Sequence, residues 1–294
     1  MEVVIATIGV LVAALAWHEQ RRQRKLSEPA TNSPTAPAAD PGVPMSPWTC
    51  GIYDYPPLSS LLPAGEPKGI LVDLASEMLD RMKRPYRFVH FNYDAFHGGA
   101  ATLPDMIIGM FNTSRRREKM AFSRPLYEID LQGICRADQS GDVLAQLRDG
   151  RLRVAVYFGE VGWEFLLDEL PGVVADKRAV VVQGGRQRDT MAHLMRKHYD
   201  VVLMDAVSCT SYLREGANGR RFKLAFGHPP KTYECCIAVQ PQFGDHLGAI
   251  NEEIEHIRNT SWFLDREELA LRGFTDCIAP RALSGTRRRS HEAS

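Results

Sequence analysis

The sequence lacks several features that define common protein classes. Basic and acidic residues both number 36, so the formal net charge is zero and no global excess of Lys and Arg favours nucleic acid or an anionic membrane. The cysteines form no CxxC pair and no zinc-finger spacing, and we expect neither a metal site nor a cofactor. Disulfides are possible outside the cell, but the sequence does not show which cysteines would pair among Cys50, Cys135, Cys209, Cys235, Cys236 and Cys277.

No apolar run reaches the roughly 20 residues of a membrane-spanning helix. Val3 to Trp17 has about the length of a signal-peptide core, and Ala14-Leu15-Ala16 is a candidate cleavage site. The flanks have the wrong charge, because Glu2 precedes the run and the basic cluster 21–25 follows it, where it would stay in the cytoplasm. Three interpretations are open: a misplaced start, an anchor of unusual topology, or a cytoplasmic protein.

Residues 26–47 are rich in Pro, Ala, Ser and Thr. Such a segment buries too little apolar surface to offset its ordering entropy, so we interpret it as a tether. The folded part is expected to begin near Trp48. With 294 residues and 44% hydrophobic residues, the chain is long enough for one large domain or two lobes with a real core.

Helices and strands alternate along the folded part, which predicts an α/β fold with mostly parallel sheets. Apolar residues recur at helical spacing after Gly69, and the next segment alternates as a strand does. Two longer strands, 127–137 and 231–240, are predicted to cross between two lobes and form a hinge. Other strands are predicted at 86–91, 106–110, 152–158, 179–183 and 200–204, closing helices within 243–274, and a disordered tail at 275–294.

The stretch 104–127 contains a candidate anion site. An apolar strand is followed by the polar turn Asn112-Thr113-Ser114 and then by a basic segment, 115–120, that is compatible with a helix. Backbone N–H groups point out of a helix start, and an Arg guanidinium grips a carboxylate with two bonds. The alternative is that the three adjacent arginines form a solvated face.

Asp205 is the second candidate. It is expected just past the carboxyl end of a buried strand, the edge at which open α/β sheets bind ligands. An Asp in this position is also a common helix N-cap, and the residue alone does not separate the two interpretations.

Together these segments resemble the family 3 extracellular solute-binding proteins, the amino-acid-binding periplasmic receptors. The resemblance covers roughly residues 48–274. The motif positions are Asp105, Gly109-Met110, Thr113, Arg116, Phe122-Ser123, Pro125, Tyr127 and the run from Asp200 to Asp205, together with Tyr55-Pro56-Pro57-Leu58 and the run from Lys68 to Leu74 nearer the start.

The resemblance implies a two-lobed type II periplasmic binding protein fold with no enzymatic activity. Arg116 would bind the ligand carboxylate, with Thr113 on a further carboxylate oxygen, and Asp205 would bind the ammonium group. Tyr55 and Tyr93 would stack on the ligand side chain. The implied organisation is a signal or anchor segment with its basic flank at 1–25, a linker at 26–47, lobe 1 at 48–131, lobe 2 at 132–233, a return to lobe 1 at 234–274, and the tail at 275–294.

Two positions depart from the family pattern. Where the family has hydroxyl residues after a strand of lobe 2, this chain has Glu160 and Val161. Val161 cannot donate a hydrogen bond, and Glu160 either turns to solvent or meets a cationic group of the ligand. Phe111 stands where many relatives have a serine. We therefore expect an altered ligand site that still includes Glu160.

The function implied by the resemblance is capture of a small amino-acid-like solute by cleft closure, followed by delivery to the permease of an ABC-type transporter. The protein would be periplasmic or otherwise extracytoplasmic, with no nucleic-acid partner and membrane contact only through its N-terminal segment. One alternative is a ligand-sensing domain anchored at a membrane. Another is a periplasmic dehydratase-type enzyme, but His97, His193 and His198 form no recognisable catalytic arrangement in the sequence.

Overall fold

The computed structural model describes residues 46–61, 66–91, 96–97, 102–182 and 187–280. The predicted N-terminal apolar segment, nearly all of the linker and Tyr93 lie outside these residues. Within them, no helix is both long enough and apolar enough to cross a membrane.

The described strands and helices alternate along most of the chain. The strands are β1 (Trp48–Ile52), β2 (Ser60–Leu61), β3 (Pro67–Lys68), β4 (Tyr86–His90), β5 (Met106–Phe111), β6 (Ala121–Phe122), β7 (Tyr127–Arg136), β8 (Val154–Tyr157), β9 (Ala179–Val182), β10 (Val201–Asp205), β11 (Phe222–Leu224), β12 (Thr232–Val239) and β13 (Ile278–Pro280). The helices are α1 (Ile70–Arg81), α2 (Ser114–Arg117), α3 (Val143–Arg148), α4 (Val161–Glu169), α5 (Pro171–Ala175), α6 (Gln187–Met195), α7 (Ala206–Arg214), α8 (Asn218–Arg221), α9 (Leu247–Arg258) and α10 (Ser261–Leu271), with a 3₁₀ helix at Pro241–His246.

The main sheet has the strand order β4-β1-β5-β12-β7-β10-β8-β9. At one end β1 runs parallel to β4 and β5, and at the other end β8 runs parallel to β9 and β10. Between them, β7 pairs antiparallel with β12 through residues 127–130 and with β10 through residues 131–135. The strand β7 therefore leaves one parallel sheet and enters the other. This is the predicted α/β fold with two lobes.

Buried apolar faces explain why the elements nearest the cleft form. The strands β5 and β10 are buried at every residue, which agrees with their continuous apolar composition. Helix α1 buries Leu71, Leu74 and Met78 at helical spacing and packs against α9. These buried elements hold the ends of β5 and β10 in place, and the candidate site residues lie at those ends.

Two local predictions were wrong. The basic segment 115–120 is a helix only in the single turn of α2, because the chain then extends to pair Ala121 and Phe122 with β12. The start of the predicted disordered tail forms β13, which pairs with β7. Ile278 of β13 is buried in the core, and this apolar contact explains why the strand forms. All six cysteines are free thiols.

Candidate functional site

A cavity of about 70 Å³ lies where the two lobes meet. Its walls come from segments that follow β1, β5, β8 and β10, so it occupies the carboxyl edge of both parallel sheets. The lining residues are Tyr53, Asp54, Tyr55, Phe111, Arg116, Glu160, Val161, Asp205 and Ser208. The structure thus brings together four of the six predicted site residues: Arg116, Asp205, Tyr55 and Glu160.

Asp205 ends β10 and caps α7. Its Oδ1 accepts a hydrogen bond from the backbone N–H of Ser208 at 2.9 Å, and its Oδ2 accepts one from the Ser208 hydroxyl at 2.7 Å. The hydroxyl of Tyr55, from the other lobe, also donates to Oδ1, at 2.6 Å. Burial raises the pKa of Asp205 above the ordinary 3.8, while these hydrogen bonds act in the opposite direction. Asp205 is therefore both a helix cap and a wall of the cavity.

The lobe 1 wall is aromatic. The rings of Tyr53 and Tyr55 stack with centroids 5.4 Å apart and an interplanar angle of 23°, and Phe111 meets Tyr55 edge-on at 6.4 Å. The Tyr53 hydroxyl donates to the Gly109 carbonyl at 2.7 Å within the same lobe. Sequence reasoning missed Tyr53. Its spacing of two from Tyr55, just after a strand, is the signal that both side chains point to one face.

Arg116 is fully buried, and its guanidinium is bound to the other lobe. Its Nε donates to Oε1 of Glu164 at 2.9 Å, and its Nη2 donates to the Gly159 carbonyl at 2.9 Å. Its Nη1 also donates to the Phe111 carbonyl at 3.3 Å. Glu164 lies on α4, is 1% exposed, and was not identified from the sequence. The arginine that was predicted to bind the ligand carboxylate is thus already paired with a carboxylate of the protein itself.

Thr113 and Glu160 have different surroundings. The Thr113 hydroxyl accepts a hydrogen bond from the Arg116 backbone N–H at 3.3 Å and caps α2, and Thr113 is not among the lining residues. Glu160 immediately precedes α4, is partly exposed and lines the cavity without capping the helix. Glu160 therefore adds an acidic residue to the lining of the cavity, and its contact with a cationic group of the ligand stays a prediction.

Gly159 joins the two lobes through its carbonyl. That oxygen accepts from Arg116 and also lies 3.1 Å from Nε2 of His97. Gly159 has φ +76°, and a Cβ there would collide with the His97 ring. Burial, followed by the nearby Arg116 charge, lowers the pKa of His97. Only glycine combines this backbone conformation with the close approach of lobe 1.

Replacing Tyr55 with Phe tests the direct hydroxyl contact between the lobes. Because it removes a hydrogen bond to a carboxylate, we expect the free energy of unfolding to fall by about 1.5–3 kcal/mol in chemical denaturation. We also expect the radius of gyration in small-angle X-ray scattering to increase, as the lobes separate more readily. Tyr53→Phe is the matched control, since its hydroxyl bonds within lobe 1. Equal radii of gyration for the two variants would contradict the assignment of the Tyr55 hydroxyl as a contact that holds the lobes together.

A two-lobed α/β protein, with two antiparallel strands between its lobes and a small cavity at the strand ends, has the architecture of a periplasmic binding protein. The family model for bacterial extracellular solute-binding proteins, family 3, matches residues 49–265. The chain belongs to this family. No curated protein matches the sequence.

Solved structures share the fold at low sequence identity. A solute receptor for L-cysteine of Neisseria gonorrhoeae is 20% identical, with a TM-score of 0.62 over 78% of this chain and 92% of that one. A histidine kinase sensor domain similar to periplasmic binding proteins is 19% identical, with a TM-score of 0.63 over 77% and 96%. The substrate-binding protein of an amino acid ABC transporter is 17% identical, with a TM-score of 0.60 over 77% and 100%.

Proposed function

We propose that the protein is a receptor that closes its lobes around a small amino-acid-like solute, with Asp205 binding the solute's ammonium group. The observation that carries the proposal is the position of Asp205, a buried acid that faces a cavity between the lobes. A cation in such a site interacts with the carboxylate far more strongly than it would in water. Membership in a solute-binding family supports the same conclusion.

The other predicted site residues and the strands between the lobes have separate roles in this proposal. The stacked rings of Tyr53 and Tyr55 form a flat wall for the solute, and Tyr93, outside the described residues, stays a predicted second wall. Thr113 fixes the start of α2, so its effect on the solute passes through Arg116. The strand β7 and the segment 225–231, which leads from β11 into β12, connect the lobes, and hinge closure about them would exclude water from the site.

Delivery of the solute to an ABC-type permease, outside the cytoplasm, is part of the proposal. The family description, extracellular solute-binding proteins, and the similarity to a substrate-binding protein of an amino acid ABC transporter support it. A pull-down of membrane proteins with and without bound solute would test it, and ligand-dependent capture of a permease is the expected result. Capture of a signalling protein instead would favour the sensor alternative.

Binding is favoured over catalysis by the positions of the histidines. His198 precedes β10, at the opposite edge of the sheet from Asp205, and its ring stacks on His193 at 4.9 Å. His97 contacts the Gly159 carbonyl. Among the residues that line the cavity in the described part of the chain, none is a histidine. Asp205 therefore lacks a histidine partner for acid–base chemistry there.

Asp205→Asn tests the proposed role of the carboxylate. Asn keeps a side-chain oxygen for the helix cap but removes the charge, so the fold is expected to persist while affinity for an ammonium-bearing solute falls at least tenfold. Thermal shift finds the solute, since binding to the native state alone raises the melting temperature, and calorimetry gives the affinity. Asp168→Asn, an exposed acid at the edge of the cleft, is the matched control. Undiminished affinity in Asp205→Asn would exclude the proposed contact.

A further inference from the structure

The ion pair between Arg116 and Glu164 decides which charges are left for a solute. Both side chains are buried and their atoms are 2.9 Å apart, so the guanidinium charge is balanced inside the protein. The second oxygen of Glu164, Oε2, is also buried and accepts no hydrogen bond from the described residues. The unsatisfied atom of the pair is therefore a hydrogen-bond acceptor, and it needs a donor group, not a second carboxylate.

A solute carboxylate would meet an unfavourable environment here. Glu164 already holds Nε of Arg116, and two backbone carbonyls accept from Nη1 and Nη2, so a carboxylate approaching this guanidinium would meet the buried carboxylate of Glu164 as a like charge. If it lay beside the pair instead, it would approach Asp205 and Glu160 as a like charge. Val161 stands where the family has a hydroxyl, so it offers no side-chain donor to compensate.

The remaining walls suit a cation. Among the described lining residues, Arg116 is the one cationic side chain, whereas three are acids: Asp54, Glu160 and Asp205. The faces of aromatic rings also attract ammonium groups, and Tyr53, Tyr55 and Phe111 supply three rings. With a volume of about 70 Å³, the cavity has room for a small solute in this arrangement of the lobes.

We propose, on the basis of the receptor function proposed above, that the solute is a small aliphatic amine without a carboxylate. The chain's own Glu164 already balances the charge of Arg116 that an amino acid's carboxylate would need. Asp205 and Glu160 bind the ammonium group, and the stacked tyrosines cover its carbon atoms. The site thus selects the decarboxylated counterpart of an amino acid.

Matched pairs test this selection directly. The full-length wild-type protein, in mild detergent at pH 7 and constant potassium concentration, is titrated by calorimetry with ethylamine and alanine, ethanolamine and serine, and putrescine and ornithine. Each pair differs by one carboxylate. We expect at least one amine to bind at least tenfold more tightly than its amino acid. The titrations are then repeated at a second, higher potassium concentration. Weaker binding at the higher concentration, with no preference for amine over amino acid, would overturn the inference in favour of an inorganic cation site.

The outcomes separate this inference from the proposed function. If an amino acid binds more tightly than its amine, the inference fails and the receptor function stands. If no amine and no amino acid binds, both fail. A preference for an amine supports both.

Glu164→Gln supplies the second measurement. It releases the guanidinium from its charged partner, so the ratio of amino acid affinity to amine affinity should rise at least tenfold. If this variant does not fold, the double variant Arg116→Gln with Glu164→Gln removes both charges together. The double variant should keep the amine preference of the wild type. An unchanged ratio in a folded Glu164→Gln protein would show that Glu164 does not exclude the solute carboxylate. Loss of amine binding in a folded double variant would show that amine binding depends on the ion pair itself. Either result would overturn the inference.

Discussion

Arg116→Ala is expected to lower the free energy of unfolding by about 3–5 kcal/mol, because it leaves Glu164 as a buried charge without its partner. The substitution also removes donors to the Gly159 and Phe111 carbonyls. Urea denaturation of the apoprotein measures the loss. The expected size comes from burial, since the Arg116 and Glu164 side chains are 1% and 2% exposed.

The neighbouring arginine is the matched control. Arg115 forms a pair with Asp168 at 3.1 Å, also between α2 and α4, but the two side chains are 48% and 41% exposed. Exposed pairs contribute little, so Arg115→Ala should cost about 0–1 kcal/mol. Equal losses for the two arginines would show that the buried pair does not join the lobes as described.

A double substitution separates charge from packing. Arg116→Met with Glu164→Leu replaces both charges by apolar side chains, and buried ion pairs replaced in this way are often neutral or stabilising. We expect the double variant to recover most of the stability lost in Arg116→Ala. The comparison also matters for ligand studies, because lost binding in Arg116→Ala alone would not distinguish a missing solute contact from a destabilised protein.

The fold was predictable because its signals are local. The apolar runs that became β5 and β10, and the helical spacing of Leu71, Leu74 and Met78, each follow from burial on one or both faces. Asp205 was placed within one residue of its observed position, because the end of a buried strand is readable from hydrophobicity. Alternation of such elements is enough to indicate an α/β architecture.

The contacts across the cleft were not predictable in the same way. Glu164 is 48 residues from Arg116 in the chain, and no local pattern relates the two. Glu164 lies in the first turn of α4, just after Glu160, which is a usable signal only once the start of that helix is known to meet the cleft. The helix-compatible segment 115–120 is longer than the observed α2 for a related reason. Pairing of β6 with β12 overrides local helix propensity.

The affinity for a cationic solute is expected to fall tenfold for each pH unit once the pH drops below the raised pKa of Asp205, because only the ionised carboxylate attracts the ammonium group. The loss should begin at a higher pH than for an ordinary aspartate of pKa 3.8. Tyr55, Cys209, Cys235 and Cys277 interact with this carboxylate and stay neutral in that range, since burial raises the pKa of each. Glu160 lines the same cavity, so the profile of Asp205→Asn is needed to separate the two acids. Calorimetric titrations at successive pH values measure the change.

The stability of the apoprotein should respond in the opposite direction. Asp205 has a higher pKa in the folded state than in the unfolded state, so the folded protein binds its proton more tightly. The contribution of Asp205 to the free energy of unfolding is complete at pH values below its pKa in the unfolded state. It is lost as the pH rises through the pKa of the folded state, with a slope of up to about 1.4 kcal/mol per pH unit. Urea denaturation of the wild type and of Asp205→Asn should therefore diverge in this window above pH 3.8. Identical pH profiles would show that Asp205 does not titrate there, and the acid loss of solute affinity would then have to come from another carboxylate.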